Sequence, residues 1–158
     1  MPKKEVLVIS VGGSVLVPDK IDIGFLKRFS KLIRSYLDKY KFILITGGGR
    51  IARDYQKAAS SVVKLHKDDL DWLGIHSTRL NAHLLKTVLR DVAYKKIIKN
   101  PNEKVRFGGV LIAAGWKPGF STDYDAVILA KTYNAKTVIN MTNIDYLYDK
   151  NPQIYKNA

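Results

Sequence analysis

Four short segments are dense in β-branched or aliphatic residues and do not alternate with polar ones: Val6 to Val11, Phe42 to Ile45, Val110 to Ala113 and Thr137 to Met141. Runs of this kind suit strands covered on both faces, as in a parallel sheet. Between the first two, Asp22 fits an N-cap, and Phe25, Leu26, Phe29, Leu32, Ile33, Tyr36 and Leu37 recur at three- and four-residue steps, which predicts an amphipathic helix. Its other face, with Lys27, Arg28, Lys31, Arg34 and Lys39, reads as solvated surface. A second helix is expected from Arg50 toward Ala59. A longer one runs from near Asp71 to Leu89 with Leu73, Leu80, Leu84, Leu85 and Val88 inward and Trp72 in the core, and another runs from Thr122 to Asn134. Strands alternating with helices predict an α/β fold, a doubly wound and mainly parallel sheet in a three-layer αβα arrangement, because parallel neighbours need crossover connections. Beyond Met141 the chain continues as Tyr-, Asp- and Asn-rich loop, and we read residues 1–158 as a single domain lacking a C-terminal portion.

Composition narrows the chemistry. At 158 residues the length suits one domain with a two-sided core. Twenty-seven Lys plus Arg against fourteen Asp plus Glu give +13, which points to phosphates, nucleic acid or an anionic surface as partner. Zero cysteines exclude disulfides, thiolate zinc sites and a Cys nucleophile, and suit a reducing cytoplasmic setting. Lys3 and Lys4 ahead of an apolar run imitate a signal peptide, but Gly12-Gly13-Ser14 interrupts that run. No apolar stretch approaches the roughly 20 residues that span a bilayer, so no membrane partner is expected. His66, His76 and His83 lack a carboxylate at ligand spacing and read as partly exposed polar positions, so no protein-held metal is expected.

Placement of glycine says more than its amount. Gly12, Gly13, Gly47, Gly48, Gly49, Gly115 and Gly119 all fall in loops after three of the predicted strands, which in an open parallel sheet means one carboxyl rim. Such loops let backbone N–H groups approach an anion, and a following helix adds its positive end. Neither G-x-x-x-x-G-K-[ST] nor a helix-opening G-x-G-x-x-G is present, so P-loop and dinucleotide readings lose ground. What remains is a phosphate site of another design, with Gly12-Gly13-Ser14 beside Gly47-Gly48-Gly49-Arg50 and Arg53 one turn into the next helix.

The third loop, Ala114 to Asp123, combines two glycines, Pro118, Lys117, Ser121, Thr122 and a carboxylate at a helix start. Ser121 and Thr122 suit either a phosphate or a helix cap, Asp123 either a cation or the helix dipole, and Trp116 either a base or the loop itself.

Taken together, Gly12-Gly13-Ser14, Gly47-Gly48-Gly49-Arg50 with Arg53, Asp71, Gly119 to Asp123, and Thr142-Asn143-Ile144-Asp145 resemble the amino acid kinase superfamily, with its carbamate kinase-like fold. Gly12 to Pro18 and the Pro-Gly-x-x-Thr-Asp loop most resemble the archaeal-type uridylate kinases. The resemblance implies transfer of the ATP γ-phosphoryl group to UMP, giving UDP and ADP for pyrimidine nucleotide synthesis, with Mg2+ carried by ATP, in a homohexamer. By position it implies that Gly48, Asp71, Trp116, Lys117, Pro118, Gly119, Phe120, Ser121 and Thr122 hold UMP. Gly12, Gly13, Ser14, Gly49, Arg53, Thr142, Asn143, Tyr148 and Asn151 would border ATP, and Asp123, Arg53 and Lys117 would serve the transfer itself. Phosphoryl transfer is chiefly alignment plus neutralisation of spreading charge, which suits a site built from N–H groups and cations.

The chain departs from the pattern at several places. Ser10 stands where many superfamily members carry a lysine, leaving the positive charge to Arg53 or Lys117; Tyr146 replaces a glycine, and Asn151 an aspartate before proline. Three other readings stay open, the first two being a kinase of this fold for a carboxylate, carbamate or isopentenyl phosphate, and a basic nucleic-acid-binding module. The second is motivated by Lys95, Lys96, Lys99, Lys104 and Arg106 but comes without a recognisable binding motif, so nucleic acid is not the expected partner. A non-catalytic regulatory or assembly subunit is the third.

Overall fold

The computed structural model describes residues 3–144. The chain forms β1 (Glu5–Val11), α1 (Gly13–Leu16), α2 (Ile23–Ser35), β2 (Tyr40–Thr46), α3 (Gly49–Ser60), α4 (Lys67–Val88), β3 (Ala93–Ile98), β4 (Val110–Ala113), α5 (Thr122–Tyr133) and β5 (Thr137–Met141). All strand pairs are parallel, in the order β3-β4-β2-β1-β5.

Alternate residues of the central strands feed two cores. Ile9, Val11, Phe42, Leu44, Val110 and Ile112 pack with Leu26, Phe29 and Ile33 of α2 and Ala82 and Leu85 of α4. Val8, Ile43, Ile45, Leu111 and Ala113 pack on the other face with Ala126, Leu129 and Ala130 of α5. Both faces of β2 and β4 are thus sealed, which is why these segments read as continuous apolar runs. Asp22 accepts from the Phe25 N–H at 2.8 Å and caps α2, and Asn134, in the left-handed conformation at φ 55°, ends α5.

Several expectations are corrected. A fifth strand, β3, was not foreseen, because Lys95 and Lys96 break its apolar pattern; it lies at the sheet edge, where lysines are tolerated and discourage further pairing. The one-turn α1 was also missed. Helix α4 begins at Lys67, with His66 as its cap: the His66 N–H donates to Asp69 at 3.0 Å, and Asp71 therefore sits within the helix rather than ahead of it. Leu80 (60% exposed) and Trp72 (41% exposed) face outward, as do Leu32 and Tyr36 on α2. The buried face of α4 carries the expected Leu85, with Leu84 and Val88 packed on the core, and adds Ile75, Ser77, Thr78, Asn81 and Ala82, so polar residues share a face expected to be aliphatic.

Register aligns the rim. Val11 pairs with both Thr46 and Met141, and Ile45 with Ala113, so the loops after β1, β2, β4 and β5 leave the sheet at one level.

Candidate active site

The glycine loops after β1 and β2 interlock. Gly47 donates its N–H to the Val11 carbonyl at 3.0 Å, and the Gly12 N–H reaches the Met141 carbonyl at 2.9 Å. A Cβ on Gly13 would overlap the Gly49 backbone and stand 2.8 Å from the Gly47 carbonyl carbon. Gly49 itself has φ 63°, a conformation costly for residues with a side chain. Two backbones therefore meet in a seam that only glycine permits.

Next to this seam lies a cavity of about 350 Å3 lined by Gly48, Gly49, Arg53, Asp71, Phe120, Ser121 and Thr122, among others. The N-termini of α3 and α5 both open onto it, so two positive helix ends face one space. Ser121 caps α5, its hydroxyl accepting from the Tyr124 N–H at 3.1 Å. Segments more than 70 residues apart in sequence thus converge, as between Gly48 and Thr122.

The wall formed by the loop after β4 is clamped by α4. The Thr78 hydroxyl accepts from the Gly115 N–H at 2.8 Å, and Arg79 donates to the Trp116 carbonyl at 3.0 Å. Asp71 accepts from the Gly119 N–H at 2.9 Å. From α5, Asp125 accepts from the Trp116 N–H at 3.2 Å. On the neighbouring loop, the Asn81 amide donates to the carbonyls of Gly47 and Gly48 at 2.8 and 3.2 Å. Asp125 is fully buried and its Oδ1 has no partner among the described residues, so burial pushes its carboxyl up to about 6.

Asp123 is exposed at the α5 start, and one of its oxygens accepts from the buried Ser10 hydroxyl at 2.7 Å. The residue standing in place of a lysine is thus a neutral donor that fixes this carboxylate. Lys117 lies over the Trp116 ring at 4.2 Å and the Phe120 ring at 5.3 Å. Trp116 and Phe120 are themselves 4.9 Å apart. Trp116, Lys117 and Pro118 do not line the cavity; of the predicted acceptor-loop residues, Phe120, Ser121 and Thr122 do, and Gly119 acts through its bond to Asp71.

On the opposite side of the seam stand Gly12, Ser14, Thr142 and Asn143. The Ser14 hydroxyl donates to the Asn143 side chain at 2.8 Å, and a Cβ on Gly12 would stand 3.7 Å from the Thr142 Cα. Asp145, Tyr146, Tyr148 and Asn151 lie outside the described residues. Sequence reasoning missed Thr78, Arg79, Asn81 and Asp125. The signal for Thr78 and Asn81 was present, as polar residues spaced three apart on the face of α4 that must turn inward. Among the described residues no three His, Asp or Glu side chains lie together as a metal site, and no helix is long and apolar enough to cross a membrane.

Known proteins match both the sequence of the chain and its fold. The profile described as the amino acid kinase family matches residues 5–158. A uridylate kinase of Thermococcus sibiricus is 35% identical over 96% of this chain and 68% of its own length. That of Thermoplasma volcanium is 36% identical over 98% of the chain and 68% of its own length. The crystal structure of uridylate kinase from Archaeoglobus fulgidus superposes with a TM-score of 0.78 at 33% identity, over 91% of this chain and 66% of that one. A UMP kinase from Ureaplasma parvum, 22% identical, shares the fold with a TM-score of 0.75 over 99% of this chain and 74% of its own. The chain thus spans about two thirds of the length of these relatives. A family match over residues 5–158, with relatives 35% and 36% identical across nearly the whole chain, establishes the affiliation: this chain belongs to the amino acid kinase family.

Proposed function

We propose that this chain carries the phosphoryl-transfer site of a UMP kinase, moving the γ-phosphoryl group of ATP onto the phosphate of UMP to give UDP and ADP. The observation that carries this reading is the cavity of about 350 Å3 in which two helix N-termini, Arg53, Asp71 and the Ser121-Thr122 turn converge beside the Gly13–Gly49 seam. UMP occupies that cavity, with Asp71 accepting from the ribose hydroxyls and the Ser121-Thr122 turn donating to the phosphate. ATP lies across the seam toward Gly12, Ser14, Thr142 and Asn143, and its phosphates meet backbone N–H groups at Gly13 and Gly49. Magnesium arrives with ATP and neutralises charge on its phosphates. Asp123, steadied by Ser10, orients the reacting groups, while Arg53 offsets the charge that spreads over the transferred oxygens. The UMP phosphate supplies its own nucleophilic oxygen, so no strong base is needed. The reading places the enzyme in the cytoplasm as a homo-oligomer, in keeping with the exposed Tyr55, Trp72 and Leu80 on the face of α3 and α4.

The test is coupled ADP release with a panel of nucleoside monophosphates and other small acceptors. We expect turnover with UMP well above CMP, AMP, carbamate and isopentenyl phosphate. ATP hydrolysis indifferent to UMP, or equal turnover across the panel, rejects the assignment.

A further inference from the structure

The positive charge of the chain is not concentrated where nucleotides would bind. Among the described residues, Arg53 is the only cation lining the cavity at the carboxyl rim. Three other grooves hold the surplus and run into one another. The first, about 950 Å3, lies at the amino ends of β1 and β2 between Lys3, Lys4, Lys41, Lys104, Arg106 and Lys136. The second, about 690 Å3, shares Lys4, Arg106 and Phe107 with it and adds Lys95. The third, about 470 Å3, shares Lys95 and passes between α4 and β3 along Lys86, Lys96 and Lys99.

Acidic residues do not offset this charge. Among the described residues, Glu5 and Asp91 are the only carboxylates lining the three grooves, and Asp91 is committed to Arg34 at 2.7 Å. Lysines on an edge strand guard against unwanted pairing, which accounts for Lys95 and Lys96. It does not account for Lys3, Lys41, Lys104, Arg106 and Lys136, which line the groove at β1 and β2, away from that edge.

Shape selects the partner. From β1 across β2 and β4 to β3 is three strand spacings, about 14 Å, and β3 adds up to about 20 Å along its length. A single phosphate group covers a small part of such a track, whereas a linear polyanion follows it throughout. Half-buried Tyr94 lines the second groove among the cations, beside Phe107, whose ring is engaged by Lys41 at 5.5 Å and by Tyr133, and an aromatic side chain between cations is what a chain of unpaired bases stacks on. We propose that this track, on the far rim and open edge of the sheet, binds the phosphodiester backbone of single-stranded nucleic acid without sequence preference. The proposal does not rest on the kinase reading, because the two sites share no lining residue.

The test is fluorescence anisotropy with a labelled mixed-sequence RNA of about 20 nucleotides, long enough to span a typical single-strand site. Binding should weaken with salt, with a log–log slope of about −0.7 for each phosphate engaged. The quadruple variant Lys95→Glu, Lys96→Glu, Lys104→Glu, Arg106→Glu should lose at least about tenfold in affinity, and each half of it part of that loss. All four side chains are exposed, and circular dichroism verifies that the variants keep the fold. Saturating ATP with UMP should leave RNA binding unchanged. Absence of binding, full binding by the quadruple variant, or displacement by ATP and UMP overturns the proposal. Equal binding of polyglutamate overturns it in favour of an acidic protein partner.

Discussion

The two walls of the site are built by opposite means. On the side of Asp71 and the loop after β4, the backbone at Gly115, Trp116 and Gly119 is tied to side chains of α4 or α5, through Thr78, Arg79, Asp71 and Asp125. Two of these ties are buried, Thr78 and Asp125. On the side of Gly12, Ser14 and Asn143, the described side-chain bonds are both exposed, Ser14 to Asn143 at 2.8 Å and the Ile144 N–H to the Thr142 hydroxyl at 3.4 Å, and the rest is backbone bonding such as Gly12 to Met141. The first wall has its shape before any ligand arrives, so little ordering is left to oppose binding. The second is held chiefly by the glycine seam. Under the proposed function, this difference would give selectivity for the acceptor to the tied wall and tolerance of a long polyphosphate to the seam.

The sharpest way to break this comparison is at the seam. Gly13→Ala puts a methyl group into the Gly49 backbone, and because backbone lies on both sides the two loops must part. A misplacement of about 1 Å in such a site costs on the order of 100-fold in turnover. We expect turnover to fall at least that far, together with a lower melting temperature, measured by coupled ADP release and thermal denaturation. A variant of near-normal activity would mean that the seam is not where the phosphates align.

A smaller but more informative split separates the two carboxylates. Asp123→Asn, which removes charge beside the reacting oxygens, should lower kcat by about 100-fold or more while leaving the KM for UMP nearly unchanged. Asp71→Asn should raise the KM for UMP by about tenfold, the worth of one charge-assisted hydrogen bond, with a smaller change in kcat. Steady-state kinetics over a range of UMP concentrations distinguishes them, and the reverse pattern exchanges the roles of the two residues.

How much of this was legible in the sequence follows from what kind of force shapes each part. Central strands sealed on both faces show as unbroken apolar runs, so β1, β2 and β4 were placed within two residues at each end; β5, last in the described sheet and mostly exposed there, was placed by its β-branched run alone. The edge strand β3 escaped because half its faces are solvent and its lysines serve the edge. Helix α4 was misjudged from its leucines: Leu80 faces out, and the inward positions go to Thr78 and Asn81, whose partners are backbone groups of loops 30 residues or more away. Local periodicity carries no information about those partners. Glycines at strand ends, by contrast, mark the rim directly, because the need for close backbone approach is met by one residue type.

The finest distinction concerns Asp125, the buried tie on the acceptor wall. Its carboxyl is raised to about 6 by burial, against about 3.9 in the unfolded chain. Between these values the folded protein binds more protons than the unfolded one. The stability linked to Asp125 is therefore complete below about pH 4, falls as pH rises toward 6 and stays at its lower level above. The charged form costs on the order of 2 kcal/mol at neutral pH, because Oδ1 is buried without a partner and the Trp116 N–H compensates only in part. Asp125→Asn removes the charge while keeping an oxygen able to accept from Trp116. Thermal melts between pH 4 and pH 8 should show a flatter profile for this variant, with its advantage over the parent greatest at the alkaline end. The KM for UMP should change by less than about threefold, since the acceptor loop retains its ties to Thr78, Arg79 and Asp71. An unchanged pH profile would show that Asp125 is already neutral or solvated at pH 7, and a large rise in KM would show that this single tie, rather than the set, holds the wall.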